Sequence, residues 1–370
     1  MKRYARMGGL ICTLCLILAV LPPAFADAPS VGLTILFTHD THDHFLPDAA
    51  DMGGYTRLTA LLKEQREAPT PSGFTYPTIT LDAGDFSMGS LFQTIYTTDA
   101  PELRALGAMG YDVTTLGNHE FDYRQQGLAD MLNTARDAQD ACREASVISH
   151  TAAMEKYTAQ YGPLTLDLPA IVQANYTIPA DPGSPEAQAL TAALERYPVT
   201  PYTVVEREGL RIAVFGLMGL DSHECAPMSG MVYEPIIDAA KRTVAEIREK
   251  EKPDFVICLS HAGTEAGKGE DYELARAVDG IDLIISGHTH STLSEPIEVN
   301  NTLIVSCGPY TQNLGRITIH KKASPDHTVT FSEYRLIPID GDVPADADMA
   351  AMTERFKEAV DRNYLAEFGL

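Results

Sequence analysis

The sequence predicts an α/β fold, because short apolar segments rich in β-branched residues alternate with helical patterns along the chain. Most of these segments are continuously apolar, which is typical of strands covered on both faces. The chain has 370 residues, 45% of them hydrophobic, enough for one large domain or two modest ones. The strand candidates are residues 33–37, 78–81, 212–215, 255–259, 281–285, 303–306 and 316–320.

Helical patterns lie between these strands. Tyr55–Glu67 and Ile236–Lys250 both repeat apolar residues at helical spacing. A further helix is predicted to begin after Asp99 as its capping residue, with Pro101 in the first turn, and to end at Gly110. The predicted architecture is therefore one of sheets sandwiched between helices.

Two stretches depart from this alternation. Residues 123–203 are polar and proline-rich, with alanine-rich helical pieces, and are predicted to form an insertion or cap rather than a separate domain. Residues 341–370 are predicted to form an acidic loop followed by a helix. The main domain would then span residues 27–340.

Residues 1–26 are predicted to be a cleaved signal peptide. Lys2, Arg3 and Arg6 precede an uncharged apolar run at residues 10–21, and residues 24–26 supply the small-x-small pattern of a cleavage site. A membrane anchor is the alternative, but the run is short for a bilayer span of about 20 residues. We expect a periplasmic or secreted protein without a stable membrane anchor.

The charge balance disfavours several classes of partner. The chain has 28 Lys+Arg against 51 Asp+Glu, a formal net charge of −23. Such a surface repels nucleic acid polymers and anionic membranes. It also repels free phosphate esters, so a phosphate site would have to be locally positive, which bound metal ions would achieve.

Four of the six cysteines follow the predicted signal peptide. Cys142 and Cys225 are the candidate disulfide, because both lie in predicted loop regions and an oxidising compartment permits a bridge. Cys258 and Cys307 lie in apolar segments and are predicted to be buried thiols. No C-x-x-C spacing is present, which disfavours zinc held by cysteines.

Polar residues that could bind metal follow several of the strand candidates. In a sheet of adjacent strands these ends converge at one carboxyl edge, where α/β folds place their sites. Taken singly, each motif could equally be a cap or a surface feature, but together they indicate a site. The candidate metal-binding residues are Asp40, His42, Asp85, Asn118, His261, His288 and His290, and His119 and Asp122 lie in the same motif as Asn118.

Imidazole, carboxylate and amide donors in this mixture suit Zn, Mn, Fe or Co, whereas an all-oxygen set would favour Ca or Mg. Seven metal-binding groups exceed a single tetrahedral site. We therefore expect two divalent ions about 3.5–4 Å apart, with one carboxylate bridging them.

These motifs resemble those of the calcineurin-like metallophosphoesterases, and more narrowly the exported 5′-nucleotidase branch, over about residues 33–338. The resemblance implies a four-layer sandwich of two mixed β-sheets flanked by helices. The shared motifs are Asp40-x-His42, Gly53-Gly54-x-x-Arg57-Leu58, Asp82-Ala-Gly-Asp85, Gly117-Asn-His-Glu-Phe-Asp122, Ser260-His-x-Gly263 and Gly287-His-x-His290.

The resemblance also implies roles for these residues. One metal ion would be held by Asp40, His42, Asp85 and His290, and the second by Asp85 as the bridge with Asn118, His261 and His288. His119 would face the phosphoryl group as a catalytic residue rather than bind metal, with Asp122 fixing its charge and tautomer. The implied reaction is hydrolysis of a phosphate ester by a metal-activated hydroxide, with His119 neutralising charge or protonating the leaving oxygen.

The first motif departs from the family pattern. His39 precedes Asp40, and Asp43 follows His42 where the family usually has glycine. His39 and His44 could support the metal-binding residues, but packing or surface roles are the favoured interpretation. Asp43 would alter the loop backbone or add an anion beside the site.

Substrate identity stays open at this stage. We expect a small-molecule phosphate ester, with nucleotides as candidates, although the nucleotide-clamping second domain of the family has no counterpart in the sequence. The alternatives are a phosphodiesterase, a thiosulfohydrolase-like enzyme, or a non-catalytic metal-binding accessory protein. The sequence does not predict the oligomeric state.

Overall fold

The computed structural model describes residues 30–147, 155, 157–158, 166–180, 183–265, 267–322 and 328–370. The predicted signal peptide lies outside the described residues. Within these ranges, none of the helices combines the length and the apolar character that crossing a bilayer requires.

Two large mixed sheets form the centre of the described fold. The first consists of β1 (Ser30–Thr38), β2 (Thr78–Asp82), β3 (Val113–Thr115), β4 (Ala170–Val172), β6 (Val199–Thr200), β14 (Asn313–Lys322) and β15 (Val329–Pro338). Its strand order is β15-β14-β1-β2-β3-β4-β6. The strands from β1 to β6 in this order are parallel, whereas β14 and β15 are antiparallel additions at one side.

The second sheet consists of β7 (Tyr202–Arg207), β8 (Leu210–Met218), β10 (Phe255–His261), β11 (Leu283–Ser286), β12 (Ile297–Val299) and β13 (Thr302–Val305). Its order is β12-β13-β11-β10-β8-β7, with four parallel central strands and antiparallel edges. A two-stranded ribbon joins β5 (Tyr176–Thr177) to β9 (Val232–Tyr233).

The helices cover the outer faces of the two sheets. They are α1 (Tyr55–Glu67), α2 (Tyr96–Asp99), α3 (Pro101–Met109), α4 (Arg124–Val147), α5 (Pro185–Arg196), α6 (Leu220–Cys225), α7 (Ile236–Lys250), α8 (Glu270–Ala277) and α9 (Ala347–Asn363), with 3-10 turns at Leu91–Ile95, His119–Phe121 and Leu365–Phe368. Residues of α1, α3, α4, α5 and α9 form one apolar core over the first sheet. Residues of α7 and α8 form another over the second sheet.

A third core fills the space between the sheets. Leu33, Ile35 and Phe37 of β1 point into it, as do Ile257 and Leu259 of β10. Leu36 of β1 belongs instead to the outer core under the helices, which explains why the strands are apolar at successive positions. The predicted four-layer sandwich is therefore confirmed.

A buried ion pair also crosses between the two sheets. Nζ of Lys321 in β14 donates to both carboxylate oxygens of Asp282, at 2.9 and 2.8 Å, and to the carbonyl of Asp254. Lys321 and Asp282 are only 5% and 2% exposed. The pair fastens the first sheet to the amino ends of β10 and β11.

The regular elements largely follow the sequence predictions. Each strand candidate overlaps a strand, and Tyr55–Glu67 and Ile236–Lys250 coincide with α1 and α7. The predicted cap at Asp99 is wrong, because Asp99 ends α2, and α3 begins after Ala100, which has φ 45° and no capping side chain. Pro101 does occupy the first turn of α3, and Gly110 ends the helix at φ 76°.

Residues 123–203, the predicted insertion, contain both helices and strands. The segment supplies α4 and α5, but it also supplies β4 and β6, which extend the first sheet in register with β3. The C-terminal helix α9 likewise packs into the core over that sheet through Met349, Met352 and Phe356.

The candidate disulfide is not formed, because Cys142 and Cys225 both have free thiols. Both residues lie in helices rather than in loops. Cys142 is buried in α4, where its sulfur accepts a hydrogen bond from the Leu166 N–H, whereas Cys225 is exposed at the end of α6. Cys258 and Cys307 are fully buried thiols, as predicted.

Candidate metal centre

The seven residues predicted to bind metal lie at or just beyond the carboxyl ends of strands. They are Asp40 and His42 after β1, Asp85 after β2, Asn118 after β3, His261 at the end of β10, and His288 and His290 after β11. The first three strands are parallel neighbours in one sheet, and the last two are parallel neighbours in the other. Face-to-face packing of the sheets brings both edges together.

One group of possible metal-binding atoms comes from Asp40, His42 and His290, whose donor atoms all lie within 4.8 Å of one another. Nε2 of His42 is 3.0 Å from Nε2 of His290. Oδ1 of Asp40 is 3.5 Å from Nε2 of His290 and 3.8 Å from Nε2 of His42. Two imidazole nitrogens and a carboxylate oxygen therefore face one small space.

A second group comes from Asp85, His261 and His288, again with donor atoms within 4.8 Å of one another. Nε2 of His261 lies 2.9 Å from Oδ2 of Asp85. The same Asp85 oxygen lies 4.0 Å from Nε2 of His42 in the first group. Asp85 therefore lies between the two groups.

Asn118 joins this region through the loop after β3. Its side-chain oxygen accepts a hydrogen bond from Oγ of Ser222 at 3.1 Å, and the residue is 4% exposed. The loop passes so close to the site that a Cβ atom on Gly117 would lie 2.2 Å from Oδ1 of Asp85 and 2.7 Å from Nε2 of His261. Only glycine fits at position 117.

The backbone of the site is strained. Five of the seven residues have positive φ angles, namely Asp40 (48°), His42 (47°), Asp85 (50°), His288 (72°) and His290 (53°). This region costs a residue with a side chain on the order of 1–3 kcal/mol, and it persists where the surroundings enforce it, often at functional sites. Here the Asp40 N–H donates to the Gly84 carbonyl and the His42 N–H to the Asp85 carbonyl.

Backbone carbonyls orient two of the imidazoles. Nδ1 of His42 donates to the Met88 carbonyl at 2.9 Å, and Nδ1 of His261 donates to the Ala83 carbonyl at 2.8 Å. The protons on Nδ1 leave each Nε2 with a lone pair directed at the site, which is the usual arrangement of metal-binding histidines. Burial lowers the pKa of His42, which favours this neutral form.

Nε2 of His261 provides a test of whether a cation fits. This atom is fully buried, and it forms no hydrogen bond with any described residue although it faces the carboxylate of Asp85. A lone pair opposite a carboxylate is unfavourable without a positive charge between them. Burial opposes protonation of His261, but Asp85 nevertheless raises the pKa of His261 to about 10, so the position attracts a cation.

The pair His119–Asp122 lies at the open side of the site. Nδ1 of His119 is 2.8 Å from Oδ2 of Asp122, and the His119 N–H donates to Oδ1 of Asp85 at 2.9 Å. The hydrogen bond to Asp122 raises the pKa of His119 to about 9. Its side chain is 37% exposed and packs edge-to-face on His42, with ring centroids 5.0 Å apart.

Three supporting residues were missed or misjudged from the sequence, and the first is His39. It is buried rather than at the surface, and its Nε2 accepts a hydrogen bond from the Cys307 N–H at 2.9 Å. Nδ1 must then carry the proton, which is donated to Oδ2 of Asp40 at 2.5 Å. His39 therefore supports a metal-binding residue, the role that was less favoured from the sequence. His44, by contrast, stacks on Tyr310 as a packing residue.

The second is Glu120, which is fully buried and ties two loops of the site together. One oxygen accepts hydrogen bonds from the N–H groups of Asp85 and Gly117, and the other accepts from the N–H and the hydroxyl of Ser87. It lies inside the Gly-Asn-His-Glu motif, but nothing in the sequence indicated its four donors.

The third is Asp221 on α6. Its Oδ2 lies 2.8 Å from Nε2 of His288, so Asp221 holds the ring of a residue that belongs to the second donor group. Asp221 and Cys225 also form a loose exposed group with His288. Because α6 is more than 60 residues away in the sequence, no local pattern could have indicated this contact.

The fold and the site define the class of the protein, a calcineurin-like metallophosphoesterase with possible metal-binding His/Asp clusters at the carboxyl edge of its sheets. Residues 79–310 match the family model described as bacterial capsule synthesis protein PGA_cap. This is more than half of the chain, and the chain belongs to this family.

Curated relatives have names from nucleotide hydrolysis. The chain is 31% identical over 347 residues to the trifunctional nucleotide phosphoesterase protein YfkN of Bacillus subtilis, covering 90% of this chain and 21% of the relative. It is 26% identical over 276 residues to the probable 5′-nucleotidase of Treponema pallidum, covering 71% and 37%. The chain thus spans well under half of the length of these relatives.

A solved structure of the calcineurin-like phosphoesterase YfkN from Bacillus subtilis has the same fold. It superposes with a TM-score of 0.66 at 20% identity, covering 90% of this chain and 98% of that chain.

Proposed function

We propose that the protein is an exported enzyme that hydrolyses phosphate esters, 5′-nucleotidase-like in type, with two divalent metal ions held side by side. The observation that supports this most strongly is the position of Asp85. Its carboxylate is within reach of both donor groups, as a ligand that bridges two ions must be.

In this proposal the first ion is held by Asp40, His42, Asp85 and His290, and the second by Asp85, Asn118, His261 and His288. Mixed imidazole and oxygen donors suit Mn, Zn, Fe or Co. When bound, such ions supply Lewis-acid polarisation of the phosphoryl group and a water of lowered pKa.

His119 acts on the phosphoryl group in this proposal. Asp122 holds Nδ1 of His119, and this hydrogen bond raises the pKa of the ring, which favours its protonated form. The ring can then neutralise charge on a phosphoryl oxygen or protonate the leaving oxygen. A non-catalytic accessory protein would need neither His119 nor Asp122, which favours the enzyme.

The names of the relatives favour nucleotides as the substrates. The PGA_cap description refers to capsule synthesis, but the donor set described above suits ester hydrolysis directly. A phosphodiesterase or a thiosulfohydrolase-like enzyme is the alternative within hydrolases. The decisive assay supplies Mn or Zn and compares AMP, UDP-glucose, a 2′,3′-cyclic nucleotide and p-nitrophenyl phosphate; metal-loaded protein that turns over none of these esters would refute the proposal.

The role of His119 is tested by His119→Ala. This variant should still bind two metal ions per chain, measured by elemental analysis, while kcat falls by about 10²–10⁴-fold. His320→Ala, which changes a histidine paired with Ser332 on β15, is the matched control and should keep both properties. Loss of metal from His119→Ala would show that the residue is a ligand instead.

Export is tested separately by cell fractionation and N-terminal sequencing of the full-length product. A protein that begins at Asp27 outside the cytoplasm supports the proposal. A cytoplasmic protein that retains Met1 contradicts it.

A further inference from the structure

A cavity lies next to the loop that carries Asn118 of the proposed metal site, because Leu116 of that loop lines it. Its volume is about 290 Å³, and its lining is mainly apolar, with Leu116, Tyr176, Leu194 and Met231 among its walls. Small-molecule sites are typically concave, largely apolar and equipped with a few polar groups. The cavity is near the small end of the usual range, which suits one ring system.

The cavity continues the carboxyl edge at which the metal-binding residues lie. Leu116 follows β3, two residues before Asn118, and Gln173 follows the next strand, β4. Neighbouring strands are about 4.8 Å apart, so the cavity is about one strand beyond Asn118. Tyr176 in its wall also packs edge-to-face on Phe121 of the His119–Phe121 turn, with ring centroids 5.2 Å apart.

Gln173 provides an independent sign of a ligand. The residue lines the cavity and is 5% exposed, and its Nε2 donates to the Leu116 carbonyl. Its side-chain oxygen, however, is buried and accepts no hydrogen bond from any described residue. An unpaired buried acceptor costs on the order of 1–3 kcal/mol, which a ligand with an N–H donor would relieve.

We propose that this cavity binds the organic part of the ester, a planar nitrogen heterocycle with an N–H donor such as a nucleobase. The proposal rests on the proposed function and specifies its substrate class. The apolar walls would cover the ring, and Gln173 would accept the N–H. The carboxylate of Glu195 also lines the cavity and disfavours an anionic group there.

The test fills the cavity without touching the metal site. Leu194→Trp places a large ring in it, whereas Ala192→Trp on the same helix, at an exposed position, is the matched control. The chain contains no tryptophan, so a shorter emission wavelength for Leu194→Trp than for Ala192→Trp verifies where the new ring lies. Circular dichroism verifies that both variants fold.

Two esters are compared, AMP with a ring and glycerol 3-phosphate without one. Leu194→Trp should raise KM for AMP about tenfold, equivalent to about 1.4 kcal/mol of lost binding, and leave kcat/KM for glycerol 3-phosphate unchanged. Ala192→Trp should change neither. An equal effect on both esters, or no effect on AMP, overturns the cavity assignment.

A binding titration separates this inference from the enzymatic proposal. Adenosine, which has no phosphate, should bind the metal-loaded wild-type protein, and its affinity should fall about tenfold in Leu194→Trp. Failure of hydrolysis with this binding intact refutes the proposed reaction but supports the cavity. Adenosine that binds both proteins equally, or neither, refutes the cavity.

Discussion

Glu120 and Glu102 are two fully buried glutamates for which the structure predicts opposite responses to the same substitution. Glu120 accepts four hydrogen bonds, from the N–H groups of Asp85, Ser87 and Gly117 and from the Ser87 hydroxyl. Neither oxygen of Glu102 accepts a hydrogen bond from a side chain or backbone group in the described residues. Replacement by glutamine therefore removes acceptors that are used at one position and unused at the other.

The expected cost of Glu120→Gln follows from this geometry. Glutamine offers one oxygen, so its NH₂ group must face two of the four donors. The least unfavourable arrangement turns NH₂ towards Ser87, whose hydroxyl can rotate to accept, but the Ser87 N–H then loses its partner. One orphaned buried N–H and the loss of charge on the acceptor amount to about 2–4 kcal/mol.

Glu102→Gln should cost little at the same pH. Burial, reinforced by the nearby Asp43, raises the pKa of Glu102 well above its usual range, so the folded protein keeps this group protonated. Glutamine is a neutral group of nearly the same shape. Burial and Asp85 raise the pKa of Glu120 to about 7, so measurements at pH 8 compare an ionised Glu120 with a neutral Glu102.

The assay is urea denaturation at pH 8 in the presence of EDTA, followed by circular dichroism. Glu120→Gln should lower the free energy of unfolding by about 2–4 kcal/mol, and Glu102→Gln should leave it unchanged or raise it. Equal losses in the two variants would refute the reasoning, because they would show that burial alone decides the cost.

Three further predictions concern the same fold. The raised pKa of Glu102 lets the folded state keep a proton that the unfolded state releases. The free energy of unfolding of the wild type, measured by denaturation at each pH, should therefore fall relative to that of Glu102→Gln as pH rises from 5 to 8, by up to about 1.4 kcal/mol per pH unit. Parallel curves for the two proteins would contradict this. Lys321→Met removes one cationic partner of the buried Asp282 carboxylate, which keeps its contacts with Arg248 and the Val256 N–H, and should cost about 3 kcal/mol, the low end for a broken buried pair. Lys250→Met at an exposed pair should cost less than about 1 kcal/mol in the same assay. Asp221→Ala should weaken metal binding about 10–100-fold in a chelator competition, because it frees the ring of His288, and Asp221→Asn should restore most of the affinity. Equal metal affinity in the wild type and both variants would exclude a role of Asp221 in positioning His288.

The sequence predicts most accurately those helices and strands whose own residues determine their structure. Helices α1 and α7 have long apolar repeats, and the central strands are continuously apolar, so local pattern and burial agree. Strands β4 and β6 are only three and two residues long and exist because β3 offers a pairing edge. No local pattern marks such strands.

The errors have equally physical causes. A cap at Asp99 was expected from residue type, but the preceding helix α2 extends through Asp99 and a left-handed Ala100 makes the turn. The candidate disulfide rested on two assumed loops, but both cysteines lie in helices and Cys142 is buried.

The sequence by itself determined which donor types follow the strands, and hence the class of chemistry open to the site. The tertiary structure alone decided how they meet. Asp40 accepts a hydrogen bond from the backbone N–H of His288, a residue 248 positions away, because two parallel edges from different sheets pack face to face. That packing places Asp85 between two donor groups and enforces left-handed backbone at five of the seven residues. Contacts of this kind depend on sheet order and packing, which no local run of residues encodes.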